Sequence, residues 1–337
     1  MRNNKKINLP SHQVLTFILS VTLLLITSIA QAVINKQPGW HEQPITHDGL
    51  TRYFSYYIPS QLKLNPDVVL LFHGGTQSMR KILRKRAGGT QEWQSLAEKN
   101  GFLLLLPNGV NVKTGDTKGD KQNWNDCRIA VKGNNSASTA DDVGFVDQLL
   151  DWSVLNFKIN QSRVYATGAS NGGMMSLRLI TELSKRITAA AVFIAHQPEK
   201  TDCTKPTKPV PLLMMSATDD PWMLWQGGQI RDDGPVMMSA LGTLEYWLQV
   251  NKADKEKQQS RQLADSNKKD NSVIIQTIYP AKKGGQPVWF YKIQDAGHTM
   301  PSKKHKVPFI ARLLVGSQNK DLEATHEAWR FLQQFSK

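Results

Sequence analysis

Two short runs without a single polar residue constrain this chain most: Val68–Phe72 (VVLLF), which ends in His73-Gly74-Gly75-Thr76, and 102–106 (FLLLL), which ends in Pro107-Asn108-Gly109. A strand with one wet face alternates apolar and polar residues. A short run that is apolar throughout and closed by turn residues fits a strand buried on both faces of a parallel sheet. Further strand-like runs lie at 163–167, 189–194, 211–216, 273–278 and 288–293, and an aromatic-rich run at 51–58 reads as an early antiparallel strand. Helical patterns fall between them. One starts at Asp141 and Asp142 and carries Phe145, Val146, Leu149 and Leu150; others cover about 171–184, 237–250 and 321–335. This alternation predicts an α/β fold, a mostly parallel central sheet flanked by helices, in a single domain over 33–337. The segment 253–271 is almost wholly polar and charged, and reads as a solvated surface insertion. In such sheets the chemistry gathers in loops at the carboxyl ends of the strands.

One of those loops is Gly168-Ala169-Ser170-Asn171-Gly172, a G-x-S-x-G sequence between a strand and a helix. A serine on that sharp turn stands above the sheet, and the helix behind it offers free N–H groups to a developing oxyanion. A nucleophilic serine needs a base. Of the eight histidines, His298 follows the last strand in a loop, preceded by glycine and followed by Pro301. His12 falls in the expected leader, and His41 and His47 precede the core. His305 lies in a basic run, His326 on the closing helix and His73 in the loop after an early strand. His196 follows a strand but precedes every acid that fits, which leaves His298 as the base. The exit loop of strand 211–216 holds Asp219 and Asp220; either carboxylate can orient the imidazole, and Asp220, before Pro221, is the choice. The order Ser170, Asp220, His298 is that of the α/β-hydrolases. For the oxyanion hole the expected donors are the N–H of Asn171, after the nucleophile, and that of Gly75 in the His73-Gly74-Gly75-Thr76 loop.

At the N-terminus, Arg2, Lys5 and Lys6 precede an apolar run softened by Ser and Thr, and Ala30-Gln31-Ala32 forms a small-x-small site. This is the pattern of a secretory signal peptide over 1–32, and predicts an extracellular or periplasmic protein with no stable membrane insertion after cleavage. In an exported chain the two cysteines, Cys127 and Cys203, favour a disulfide. Neither stands in a metal-ligand spacing, and no metal or organic cofactor is expected. The net charge is +14, but the basic residues are scattered and no nucleic-acid motif accompanies them, so the surplus reads as a solvated basic surface.

Several segments together resemble the secreted polyhydroxybutyrate depolymerase and feruloyl esterase family of α/β-hydrolases. They are LLFHGGTQS (70–78), LLLPNG (104–109), NWNDC (123–127), DDVGFVDQLLD (141–151), RVYATGASNGGMMSLRL (163–179), ATDDPWMLWQGG (217–228), GHTMP (297–301) and SQNKDLEATHEAWRFL (317–332). The resemblance assigns the acid to Asp220 and the oxyanion donor to Gly75, and places Cys127 and Cys203 where members often carry cysteines. It places Trp225 where an aromatic often precedes Gly-Gly. Members often have Cys at the position of Gly75 and Trp at that of Met300. Trp222, Trp225 and Met300 are the expected substrate contacts. The function implied is a secreted serine esterase acting on a small-molecule or polymer ester through an acyl-enzyme. A serine peptidase on the same fold, and an idle polysaccharide-binding protein, are the alternatives.

Overall fold

Every residue of Val68–Phe72 is buried, and so is every residue of Leu103–Pro107, as an apolar run without alternation requires of a strand covered on both sides. The computed structural model describes residues 36–84, 88–129, 138–230 and 234–337; the expected leader at 1–32 lies outside them. The two runs are β3 and β4. Before them β1 (Gly39–His47) and β2 (Leu50–Ile58) form a hairpin, and helix α1 (Glu92–Asn100) leads into β4. Then α2 (Asp142–Phe157) precedes β5 (Val164–Ala169), and α3 (Asn171–Glu182) precedes β6 (Ala189–Phe193), which is followed by β7 (Leu212–Ala217). A two-stranded ribbon of β8 (Gly228–Gln229) and β9 (Val236–Met237) leads to α4 (Ala240–Val250). The chain ends with β10 (Gln259–Gln262), β11 (Val273–Tyr279), β12 (Val288–Gln294), α5 (Phe309–Val315) and α6 (Ala324–Leu332).

The large sheet has the order β1-β2-β4-β3-β5-β6-β7-β12-β11-β10. Neighbours from β4 to β12 in that order run parallel, and the pairs beyond them at both ends run antiparallel. Successive side chains go to opposite faces. On one face Val69, Leu71, Leu104, Leu106, Leu213 and Met215 join a core with Trp93 and Leu96 of α1 and Trp329 and Phe331 of α6. On β2, Phe54 and Tyr56 meet Trp152 of α2, with ring centroids 4.8 and 5.1 Å apart. Residues Gln37–Lys337 form one compact unit.

Three expectations need correction. The 253–271 segment is not merely an insertion: its residues Gln259–Gln262 pair antiparallel with β11 and supply the last strand of the sheet. All four are exposed, so no apolar residue announces the strand. The helix expected over 237–250 starts at Ala240, because the Ser239 side chain accepts the Gly242 N–H at 2.8 Å and caps it, while Met237 belongs to β9. The closing helix starts at Ala324, not 321, since Asp321 Oδ1 is engaged by the N–H groups of Ser266 and Asn267.

A buried ion pair fixes the corner where β2, the loop after β4 and α2 meet. Arg52 Nη2 lies 2.5 Å from Asp142 Oδ1, with the two side chains 1% and 0% exposed. Arg52 also donates to Asn108 O, and Asp142 Oδ2 accepts the Asn125 N–H. Burial pushes the Asp142 carboxyl upward, and the guanidinium opposes that shift. The preceding Asp141 caps α2 by accepting the Gly144 N–H at 2.9 Å.

At the end of β3, His73 is fully buried. Its Nε2 accepts the Gly109 N–H at 3.0 Å, so Nδ1 carries the proton and donates to Gly74 O at 2.8 Å. Trp124 Nε1 donates to His73 O. A neutral ring is thus built into the frame, and burial lowers its pKa to about 4, only partly countered by the bond to Gly74. The Cys127–Cys203 disulfide closes a separation of 76 residues and ties the loop after β4 to the loop after β6.

Two outcomes follow. Replacing both cysteines by serine is expected to lower the unfolding free energy by roughly 2–4 kcal/mol, read as a lower urea midpoint; an unchanged midpoint would mean that the bond adds nothing. Because the folded pKa of His73 lies below 6.5, the unfolded chain binds the extra proton between that value and about pH 4. Stability is therefore complete above pH 6.5 and declines as the pH falls, by at most about 1.4 kcal/mol per pH unit for this one group. Urea midpoints that stay level from pH 7 to 5 would show that His73 is not the neutral buried ring described.

Candidate active site

Ser170 sits between β5 and α3 with φ 57° and ψ −126°. That left-handed backbone is unfavourable for a residue with a Cβ and persists only where the surroundings impose it. They do so here through close packing. A Cβ on Gly172 would lie 2.2 Å from Phe72 O and 2.6 Å from His73 O, and one on Gly168 would lie 2.6 Å from Gly172 O. The bare backbones of β3, β5 and α3 thus meet at the turn, and Ser170 is lifted at its apex.

His298 lies in the loop after β12. Its Nδ1 is 2.7 Å from Asp220 Oδ2, and both side chains are nearly inaccessible. The other carboxylate oxygen, Oδ1, accepts the N–H groups of Trp222 and Met223 at 2.8 and 2.7 Å. Asp220 is therefore held at both oxygens, whereas Asp219 is exposed and accepts from the Thr218 hydroxyl. The loop is fixed from behind: Gly297 N donates to Ser317 O at 3.0 Å and His298 N to Val315 O, at the end of α5.

Ser170 and His298 line one cleft of about 290 Å³, with Gly74, Gly75, Trp222 and Met300. This is at the lower edge of small-ligand sites. The Trp222 ring stacks on His298 with centroids 5.3 Å apart. Trp225 does not line this cleft: it packs beside Phe290 and under the Lys292 ammonium. That corrects the expectation of a substrate contact: Trp225 sits within the turn that Gly227 N–H closes on Leu224 O at 2.8 Å, and its ring lies against the β12 side chains. Another wall comes from Val307, Ala311 and Val315, none of which the sequence pattern marks.

The loop bearing Gly75 is held by asparagines. Asn123 Oδ1 accepts the Thr76 N–H at 2.7 Å. Asn171 Oδ1 accepts the Trp124 N–H at 2.8 Å, and its Nδ2 donates to Asp126 Oδ2. A Cβ on Gly75 would stand 3.2 Å from Asn123 Oδ1 and 3.6 Å from Asn171 Cβ, so the glycine brings its backbone close to the first residue of α3. Asn171, opening that helix, has an N–H with no partner in the helical ladder.

His196 is a further buried group here that the sequence did not place. Burial lowers its pKa to about 4; the Asp220 charge opposes the shift and His298 adds to it. Among the described residues its Nδ1 has no hydrogen-bond partner.

No family model matches the chain. It is 26% identical over 179 residues to a bifunctional acetylxylan esterase/xylanase of Neocallimastix patriciarum, covering 53% of this chain and 23% of that protein. It is 23% identical over 215 residues to a probable feruloyl esterase C of Aspergillus niger, covering 61% of this chain and 70% of that one. The chain thus spans less than two thirds of the first relative's length. Among solved structures, an acetyl xylan esterase from Aspergillus awamori matches with a TM-score of 0.51 at 14% identity, over 77% of this chain and 94% of that one. The chain has the α/β-hydrolase fold, and in sequence it is a relative of the acetylxylan and feruloyl esterases.

Proposed function

We propose that the chain is a secreted serine esterase with Ser170, His298 and Asp220 as its triad. The observation that carries this reading is the 2.7 Å contact of His298 Nδ1 with a doubly held Asp220, on the same cleft as a serine in a strained turn. Asp220 accepts a hydrogen bond from Nδ1–H, which fixes the tautomer in which Nε2 is free to act as base and stabilises the imidazolium that forms. Ser170 Oγ attacks the ester carbonyl carbon while His298 Nε2 takes its proton. The carbonyl oxygen becomes an oxyanion and accepts from the N–H groups of Gly75 and Asn171. Collapse breaks the bond to the alcohol, which leaves with the proton from His298. Water, deprotonated by the same nitrogen, then attacks the acyl carbon; the bond to Ser170 Oγ breaks, His298 returns the proton to Oγ, and the acid departs. No step requires a cofactor.

Acetyl and feruloyl esters are the first substrates to consider, because the relatives bear those names. Met300 and Trp222 are the side chains best placed to touch the acyl or alcohol group. Export after cleavage near residue 32 accords with the disulfide, which persists in oxidising compartments; residues 33–337 then form one catalytic domain. No described helix is long and apolar enough to cross a membrane.

The test is hydrolysis of p-nitrophenyl acetate and methyl ferulate, with labelling by a fluorophosphonate. Ser170→Ala is expected to lower kcat by about 10⁴-fold or more and to abolish labelling. Asp220→Asn is expected to lower kcat by roughly 10⁴-fold while the fold persists, and Asp219→Asn to leave it within about twofold of the parent, as an exposed surface change does. Undiminished turnover in Ser170→Ala would remove the triad reading, and an unlabelled, inactive parent chain would favour the idle binding protein.

A further inference from the structure

Helix α5 has two apolar faces. Ala311 and Val315, with Val307 just before the helix, line the cleft that holds Ser170 and His298. Phe309, Ile310, Leu313 and Leu314 turn outward, each between 67% and 77% exposed. Large apolar side chains scattered singly over a surface need no explanation, but a contiguous group at the mouth of a cleft marks an interaction site.

The fold presents this face firmly. The end of α5 accepts the backbone N–H of His298 through Val315 O, and Val307 N donates to Gln318 Oε1. The approach to the helix is pinned to α1 by Glu92, whose carboxylate takes Lys304 Nζ at 2.8 Å and His305 Nε2 at 2.7 Å.

The charged residues of the segment that carries the helix are of one sign. From Lys303 to Gly316 the sequence contains no Asp or Glu, and Lys303, Lys306 and Arg312 are exposed. An apolar face on a segment whose own charges are all cationic is the pattern of a helix that lies in the plane of an anionic lipid surface. A second copy of the chain would bring the same cations against these, at a net charge of +14 for the full sequence and three less, +11, without Arg2, Lys5 and Lys6 of the leader. A neutral polymer would make no use of them.

We propose that the outer face of α5 docks on an anionic lipid surface, so that the cleft opens onto acyl esters held at that surface. The inference rests on the esterase reading only for its catalytic consequence; adsorption is measurable without turnover.

The experiment is co-sedimentation of the mature chain with vesicles of equal parts phosphatidylcholine and phosphatidylglycerol, and with vesicles of phosphatidylcholine alone. Adsorption to the mixed vesicles is expected to exceed that to the neutral ones by about tenfold or more, and to weaken as salt is added. Ile310→Ser with Leu313→Ser is expected to reduce adsorption by at least about tenfold. The same variant is expected to leave hydrolysis of dissolved p-nitrophenyl acetate unchanged, since neither residue lines the cleft, and to slow hydrolysis of p-nitrophenyl octanoate carried in mixed vesicles. Lys306→Glu with Arg312→Glu is a second variant, expected to lose adsorption to the anionic vesicles through charge alone. A parent chain that stays in the supernatant overturns the proposal, as do variants that adsorb like the parent, equal adsorption to neutral vesicles, or a lipid-free dimer that Ile310→Ser with Leu313→Ser dissolves. Adsorption as expected in a chain that hydrolyses no ester supports the docking and overturns the esterase reading instead.

Discussion

The carbonyl oxygens of Phe72 and His73 leave no room for a side chain at residue 172, and the rest of the site follows from that contact. Because Gly172 can lie against them, the first turn of α3 meets the end of β3 directly. The chain leaving β5 must then reverse within a few residues, which sets Ser170 at φ 57°. The same approach brings Asn171 beside the Gly74-Gly75 loop, which continues from β3. One steric condition thus fixes the serine and brings the backbone of the Gly75 loop close to Asn171. A Cβ there would need a shift of backbone rather than of a flexible side-chain tip.

What steric contact positions, buried polar groups hold. Loops cannot satisfy their own backbone as helices and strands do, so inside a protein they need side-chain partners. The neutral His73 bridges Gly74 and Gly109, Asn123 holds Thr76, and Asn171 holds Trp124 and Asp126. Asp142 and Arg52 join β2, α2 and the loops at Asn108 and Asn125. Each of these groups would be costly to leave unpaired, so each restrains a loop that has no regular structure of its own.

The sequence was legible where one residue pattern had one physical meaning. VVLLF is unbroken because both faces of β3 are covered. Ser170 stood out because small residues crowd a turn between strand and helix, and His298 and the pair Asp219-Asp220 by their places after strands; position alone did not separate the two acids. The pattern was silent where a segment has no single apolar face. Strand β1 alternates only between half-buried and exposed residues and contains Pro44, and β10 is exposed throughout. Trp225 and Trp222 look alike in sequence; Trp222 faces the cleft and Trp225, in the turn 224–227, faces β12, a difference that local sequence does not encode. The roles of Val307, Ala311 and Val315 were invisible for a related reason. Helix α5 is apolar nearly all round, so periodicity does not say which side meets the protein.

The bonds from Gly297 and His298 to the carbonyls of Ser317 and Val315 have a consequence for how such a protein can diversify. The strip that forms one wall of the cleft is also the bracket on which the imidazole is mounted. Residues between Lys306 and Leu314, beyond the stretch that Glu92 pins, can be exchanged to suit a new substrate, provided that the chain returns with those two carbonyls in register. Wall and bracket are inherited together, so specificity can drift along this strip while the chemistry beside it stays in alignment.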